Sequence, residues 1–238
     1  MMRIAMWSGP RNLSTAMMYA FGTRADCAVW DEPLYAAYLS ATGLDHPMRG
    51  QIVAAGETDP DRVIARCLGP APGGKPHFYQ KHMTQHMIDG VDRGWIGDMV
   101  NVFLIRHPAR VIASYDAKRE NPTLQDIGFP QQLSLFEQVQ AAGQQAVVID
   151  SHDIRADPET MLRKLCAAIG LDFDPAMLRW RAGGHPDDGV WAPHWYGAVH
   201  KSTGFAGAEG PLPQVPTHLQ DVLAQALPIY ARLRETAI

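Results

Sequence analysis

Arg3-Ile-Ala-Met-Trp-Ser-Gly-Pro-Arg-Asn-Leu-Ser-Thr15, running on into Ala-Met-Met-Tyr-Ala-Phe-Gly22, is the stretch that decides the fold. Arg3–Trp7 predicts a short buried strand, and Ser8 to Asn12 carries turn chemistry. Apolar residues at 13, 16, 17, 20 and 21 have helical spacing, closed by Gly22. A strand that passes through a Gly-Pro turn into a helix start forms an anion trap, because unpaired N–H groups and the helix dipole converge there. The candidate anion ligands are therefore Ser8, Gly9, Pro10, Arg11, Asn12, Leu13, Ser14 and Thr15. Arg11 adds a planar cationic fork, and Ser14 and Thr15 add hydroxyls. The competing reading is plainer: Ser8 or Asn12 caps the helix, and Arg11 is a surface charge.

The same alternation continues outward. Strands are predicted at Cys27–Asp31, His77–His82, Asn101–Ile105 and 146–150. Helices are predicted at Leu34–Thr42, Asp59–Leu68, from Pro108 onward, at 131–143, at 157–169 and at 217–235. Strands separated by helices imply an α/β fold: three α/β/α layers with a mostly parallel central sheet, as one domain over 1–238. With 46% hydrophobic and 19% charged residues the chain has enough apolar material for a full core. A net charge of -4 brings no general attraction to nucleic acid or an anionic membrane, so an anion site must be local. No stretch approaches the ~20 apolar residues of a membrane helix. Cys27, Cys67 and Cys166 are odd in number and far apart, as expected of a cytoplasmic protein.

A second candidate anion site follows the strand NVFLI, 101–105. Arg106 stands at its C-terminal end, and Arg110 and Ser114 share a helix face four residues apart. Val111, Ile112 and Tyr115 are expected to face the sheet. Alone, Arg106 and Ser114 also read as a strand cap and a packed helix residue.

Together the two stretches resemble the sulfotransferase superfamily. The resemblance rests on Pro10-Arg11-Asn12-Leu13-Ser14-Thr15, on Arg106-His107-Pro108 with Ser114-Tyr115, and on VVIDSHDIRADPETMLRKLCAAIGLDF at 147–173. It covers roughly residues 3–20, 100–118 and 146–175. It implies a P-loop nucleotide hydrolase-like fold and transfer of a sulfuryl group from 3′-phosphoadenosine 5′-phosphosulfate to a small acceptor, without a metal. The first loop would hold the 5′-phosphosulfate, and Arg106 with Ser114 the 3′-phosphate. Asn12-Leu13 and His107 depart from the family pattern. The opening WSGPRNLSTAMMYAF, with DEPLY at 31–35, also resembles a subgroup sometimes labelled after branched-chain aminotransferases. No lysine has the setting of a Schiff base to pyridoxal phosphate.

Such a transfer needs a base and a group that meets the charge on the leaving phosphate. Arg11 is the candidate for the charge, and His82 or Glu32 for the base, both placed after strands. The segment 183–216 is a candidate lid or acceptor loop, with Lys201 and Gly204 as nucleotide contacts implied by the resemblance. His77, His82 and His86 have no carboxylate pair and no metal-site spacing. Two other readings are a P-loop kinase, which lacks the Gly-Lys of GxxxxGK[ST] here, and a non-catalytic nucleotide-binding module. Oligomeric state and acceptor identity are not encoded in these motifs.

Overall fold

The computed structural model describes residues 1–117 and 121–238, so Lys118, the end of the 100–118 stretch, lies outside the described residues. In chain order the elements are β1 (Met2–Ser8), α1 (Ser14–Gly22), β2 (Cys27–Asp31), α2 (Tyr35–Thr42), α3 (Arg49–Ala55) and α4 (Pro60–Leu68). They continue with β3 (His77–Met83), β4 (Val100–Ile105), α5 (Pro108–Asp116), α6 (Phe129–Ala141) and β5 (Ala146–Asp150). The chain closes with α7 (Ser151–Ala156), α8 (Pro158–Ala168), α9 (Ala192–Trp195) and α10 (Gln220–Arg234). All five expected strands form, within two residues of their expected bounds. α3, α7 and α9 were not expected; at seven, six and four residues they are too short to show a helical period.

The strands make one parallel sheet in the order β2-β3-β1-β4-β5. From β1 the chain first builds toward one edge through β2 and β3, then crosses to β4 and β5 on the other. That reversal opens a crevice at the C-terminal end of β1, the usual ligand position in open α/β sheets. The loops after β1, β3 and β4 therefore meet there, because Ser8 pairs with Met83 on one side and Leu104 on the other.

Side chains alternate across the sheet. Ile4, Met6, Tyr79, Val102, Leu104 and Ile149 pack with α1 and α8. Ala5, Trp7, Phe103, Ile105 and Val148 pack with α4, α6 and Leu233 of α10. This is the three-layer arrangement the alternating pattern implies. α5 differs from expectation: Val111, Ile112 and Tyr115 pack against Ile127, Phe129 and α10 rather than the sheet. α10 covers that side, and its Tyr230 donates to Asp150 Oδ2 at 2.7 Å while Arg234 pairs with Asp153.

Two glycines at the crevice have steric reasons. A Cβ on Gly9 would lie 2.4 Å from the Ile127 carbonyl oxygen, and one on Gly128 would lie 2.6 Å from Thr84 Oγ1 at φ +73°. The loop after β1 and the start of α6 therefore touch backbone to backbone.

Candidate active site

The loop after β1 has an unusual backbone. Arg11 and Leu13 are non-glycine residues with φ of 60° and 40°. Such left-handed turns cost roughly 1–3 kcal/mol each and persist only where the surroundings hold them. One restraint is Asn12, 4% exposed, whose Nδ2 donates to the Leu104 carbonyl on β4 at 2.6 Å. Leu13 is the N-cap of α1, and no side chain caps that helix. The capping alternative for Ser8 and Asn12 thus gives way: the N–H groups of Ser14, Thr15 and Ala16 have no intrahelical acceptor. Ser8 and Gly9 lie beneath the loop, Ser8 fully buried with its hydroxyl 3.9 Å from Met83 Sδ. Pro10 to Ala16 line a cavity of about 300 Å³.

Two cations, Arg11 and Arg106, line the β4 side of this cavity, and Arg110 and Arg155 stand behind Arg106. Arg11 Nε donates to Ser114 Oγ at 2.9 Å, and Arg106 donates to the Arg11 carbonyl at 2.6 Å. Burial and the adjacent Arg106 charge draw the Arg11 guanidinium down from its ordinary value. Arg106 also pairs with Glu209, which lies 2.9 Å from both Arg110 Nε and Arg155 Nη1. The Glu209 side chain is 1% exposed. Burial pushes its carboxyl up, but the Arg106 hydrogen bond and the three guanidinium charges outweigh burial and hold it below the usual range. His107 explains one departure from the family pattern: its Nδ1 accepts from the Ala109 N–H at 3.2 Å and caps α5, as an Asn or Asp would.

The other end of the cavity is built after β2 and β3. Lys81 is buried; its Nζ donates to Asp31 Oδ1 at 2.9 Å, Glu32 Oε1 at 2.7 Å and the Tyr196 hydroxyl at 2.5 Å. The Tyr196 hydroxyl lies 2.8 Å from Asp31 Oδ2 and receives the Trp191 indole N–H at 2.8 Å. Glu32 has φ 40°, so its backbone turns its carboxylate toward this lysine. Burial and the Asp31 charge raise the Glu32 carboxyl above the usual range against the pull of Lys81. His86 is sandwiched between Tyr35 and Tyr38, at ring separations of 4.7 and 4.8 Å, with Nε2 3.9 Å from Glu32 Oε2. Burial keeps that imidazole neutral by pushing its value well down. Glu32, Tyr35, Lys81, His86, Trp195 and Tyr196 all line the cavity that Arg11, Arg106 and Ser114 line from the far side.

Two expected site residues lie elsewhere. His82 follows Lys81 in β3 and points to the opposite face, where it stacks on Trp7 at 4.6 Å and meets Gln80 Oε1 at 3.1 Å. Burial pushes it down to about 3, and it lines none of the cavity. The reason is strand alternation: Met6 pairs with Lys81, and Trp7 with His82. Lys201 is exposed and also lines none of it, whereas Gly204, bridged to Arg179, does. The 183–216 segment is more ordered than its composition implied. It carries α9 and supplies Trp195, Tyr196, Ala198, Val199, Ser202, Gly204 and Ala206 to the cavity wall. Of the three histidines weighed as metal ligands, His77 lies beside Asp26 at 3.6 Å, far from the surroundings of the other two. Among the described residues, no group of three or more His, Cys, Asp or Glu is arranged to hold a metal, and no helix is long and apolar enough to cross a membrane.

Sequence reasoning passed over Asp31, Lys81, Arg155 and Glu209. The pair Asp31-Glu32 beside a strand end was a usable signal for the first two, because Lys81 is in register with Asp31. Nothing local marks Glu209, which sits in a Gly-Ala-Glu-Gly-Pro loop.

A parallel sheet with a strained, cation-rich loop at the switch point and a buried acid–lysine cluster opposite defines a transferase-type anion site. The sulfotransferase domain model matches residues 2–237, and the chain belongs to the sulfotransferase family. It is 37% and 36% identical over 231 residues to Branched-chain-amino-acid aminotransferase-like proteins 1 and 2 of Arabidopsis thaliana. Those matches cover 97% of this chain but only 41% of the relatives' length. In fold it is similar to a sulfotransferase from Alicyclobacillus acidocaldarius, with TM-score 0.54 and 12% identity over 99% of this chain and 95% of that one. It is also similar to the sulfotransferase domain from the curacin biosynthetic pathway, with TM-score 0.52 and 14% identity over 94% and 96% of the two chains.

Proposed function

We propose that this chain moves a sulfuryl group from 3′-phosphoadenosine 5′-phosphosulfate to a hydroxyl or amine of a small acceptor. The observation that carries this reading is one cavity lined by Arg11, Arg106 and the start of α1 at one end and by Glu32 with Lys81 at the other. The arginine end suits a phosphorylated nucleotide: Arg106 Nε is buried with no hydrogen-bond partner, and the α1 N–H groups are unmatched. When bound, the donor supplies an activated sulfuryl group on a phosphate leaving group.

The α1 N-terminus, Ser14, Thr15 and Arg11 orient the phosphosulfate, and Arg106 with Ser114 hold the 3′-phosphate. Gly204 closes beside them. Arg11 meets the charge that grows on the departing phosphate, an effect that needs no rearrangement because Ser114 already fixes its guanidinium. Glu32 takes the proton from the acceptor. Its raised value makes it a stronger base than an ordinary carboxylate, and Lys81 stabilises the carboxylate before transfer. The aromatic wall of Tyr35, Trp195 and Tyr196 receives the acceptor and excludes water.

Calorimetry with 3′,5′-ADP, 5′-AMP and Mg²⁺-ATP tests the donor. Selective binding of 3′,5′-ADP followed by transfer to any hydroxyl or amine in an acceptor screen supports the reading. Preference for Mg²⁺-ATP replaces it with a kinase, and tight 3′,5′-ADP binding without transfer replaces it with a non-catalytic module.

A further inference from the structure

Three arginines from three elements converge on one carboxylate. Arg106 follows β4, Arg110 lies in α5 and Arg155 in α7, and Glu209 reaches all three from a loop whose neighbours Ala208 and Gly210 are exposed. The loop is fastened by the same side chains: Arg155 Nε donates to the Gly207 carbonyl at 3.0 Å, and Arg110 to the Gly210 carbonyl. His152 Nδ1 stands 3.9 Å from the carboxylate. One carboxylate against three guanidiniums leaves a local excess of two positive charges. Arg106 Nε has no acceptor, and Glu209 Oε2, in an ion pair with Arg110 at 2.9 Å, makes no hydrogen bond, so the carboxylate fits the cluster poorly. A monoanion thus underfills a pocket whose charge and donors suit a dianion.

The proposal rests on reading Arg106 as the ligand of the donor's 3′-phosphate. We propose that Glu209 is a built-in competitor of the donor: it occupies the arginine cluster of the free protein, and a nucleotide must displace it for a 3′-phosphate to bind there. A nucleotide with a free 3′-hydroxyl brings nothing that three arginines would exchange for a carboxylate, so it binds with the pocket still closed. A 3′-phosphate brings a second negative charge and further acceptors, and the exchange frees the 205–211 loop to settle elsewhere. Glu209 is thereby an autoinhibitory contact that lowers affinity for the 3′-phosphorylated nucleotide, rather than a ligand of the nucleotide.

The test compares the wild type with Glu209→Gln and Glu209→Asp by calorimetry against 3′,5′-ADP, 5′-AMP and inorganic phosphate. Removing the competing charge in Glu209→Gln should tighten 3′,5′-ADP by about 10-fold or more while 5′-AMP stays within about twofold, the scale of one charge-assisted hydrogen bond. Inorganic phosphate should likewise bind Glu209→Gln more tightly than the wild type. Should Glu209→Gln fail to fold, Glu209→Asp decides, because a shorter carboxylate reaches fewer of the arginines and must shift 3′,5′-ADP in the same direction. Unchanged or weaker 3′,5′-ADP binding in both variants, or an equal gain for 5′-AMP, overturns the proposal. If no form binds either nucleotide, the donor reading fails by itself. Tighter phosphate binding by Glu209→Gln then upholds the anion exchange, and unchanged phosphate binding overturns that too.

Discussion

An ion cluster adjoins each end of the cavity, through Glu32 and Lys81 at one and Arg106 at the other, and the two have opposite charge balance. At one end two carboxylates, Asp31 and Glu32, share a single cation, Lys81. At the other, three guanidiniums share the single carboxylate of Glu209. At the first, burial together with the Asp31 charge outweighs Lys81 and raises the Glu32 carboxyl; at the second, the Arg106 hydrogen bond and three guanidinium charges outweigh burial and lower the Glu209 carboxyl. What separates the two is whether the counter-charges outweigh burial: one lysine between two carboxylates does not, and three arginines around one carboxylate do.

The sharpest way to break this contrast is Glu32→Gln. Turnover should fall ~10²–10⁴-fold, the usual contribution of a general base, while 3′,5′-ADP affinity stays within about twofold. Single-turnover kinetics beside calorimetry separate the two; equal losses in both would merge the ends into one binding site. Next in size is Lys81→Met, which strands two buried carboxylates and should cost about 3–5 kcal/mol in urea unfolding. Arg155, with its side chain 23% exposed, should cost less than half of that as Arg155→Met.

The pH dependence of melting sharpens the comparison further. Glu32, raised in the folded state, contributes stability that is full below the ordinary carboxylate range and lost as pH rises through its raised value. Glu209, lowered in the folded state, contributes stability present above the ordinary range and lost as pH falls through its lowered value. Glu32→Gln should therefore flatten the higher-pH side of a thermal-melting profile, and Glu209→Gln the lower-pH side. The catalytic profile of the wild type should fall as acid protonates Glu32. The smallest effect is expected for His82→Phe: turnover unchanged, with about 1 kcal/mol of stability lost because Gln80 Oε1 loses its buried partner while the stack on Trp7 is kept. A collapse of turnover there would return the base to His82.

Much of this molecule could be read along the chain. Arg3–Thr15 announced a strand, a turn and a helix start, and Arg106 to Ser114 a second such junction, because each depends on neighbours within one turn. The strands and the longer helices followed from the same local periodicities, which burial against a sheet enforces. Arg11, Arg106, Ser114 and Glu32 were legible as candidates because each stands at a strand end or in the helix start that follows one.

What tertiary structure alone decided is which candidates meet. Lys81 and His82 are adjacent in a strand, and only the pairing of β3 with β1 sends the lysine to the cavity and the histidine onto Trp7. Asp31 meets Lys81 across fifty residues, and Glu209 meets Arg106 across more than a hundred. Those encounters carry no local pattern, since a buried charge is stable wherever the fold happens to bring its counter-charge. The sequence by itself determined the layers and the anion-binding junctions, through short-range geometry; the acid–lysine cluster and the carboxylate that fills the arginine pocket exist only because the sheet order brings distant strand ends to one crevice.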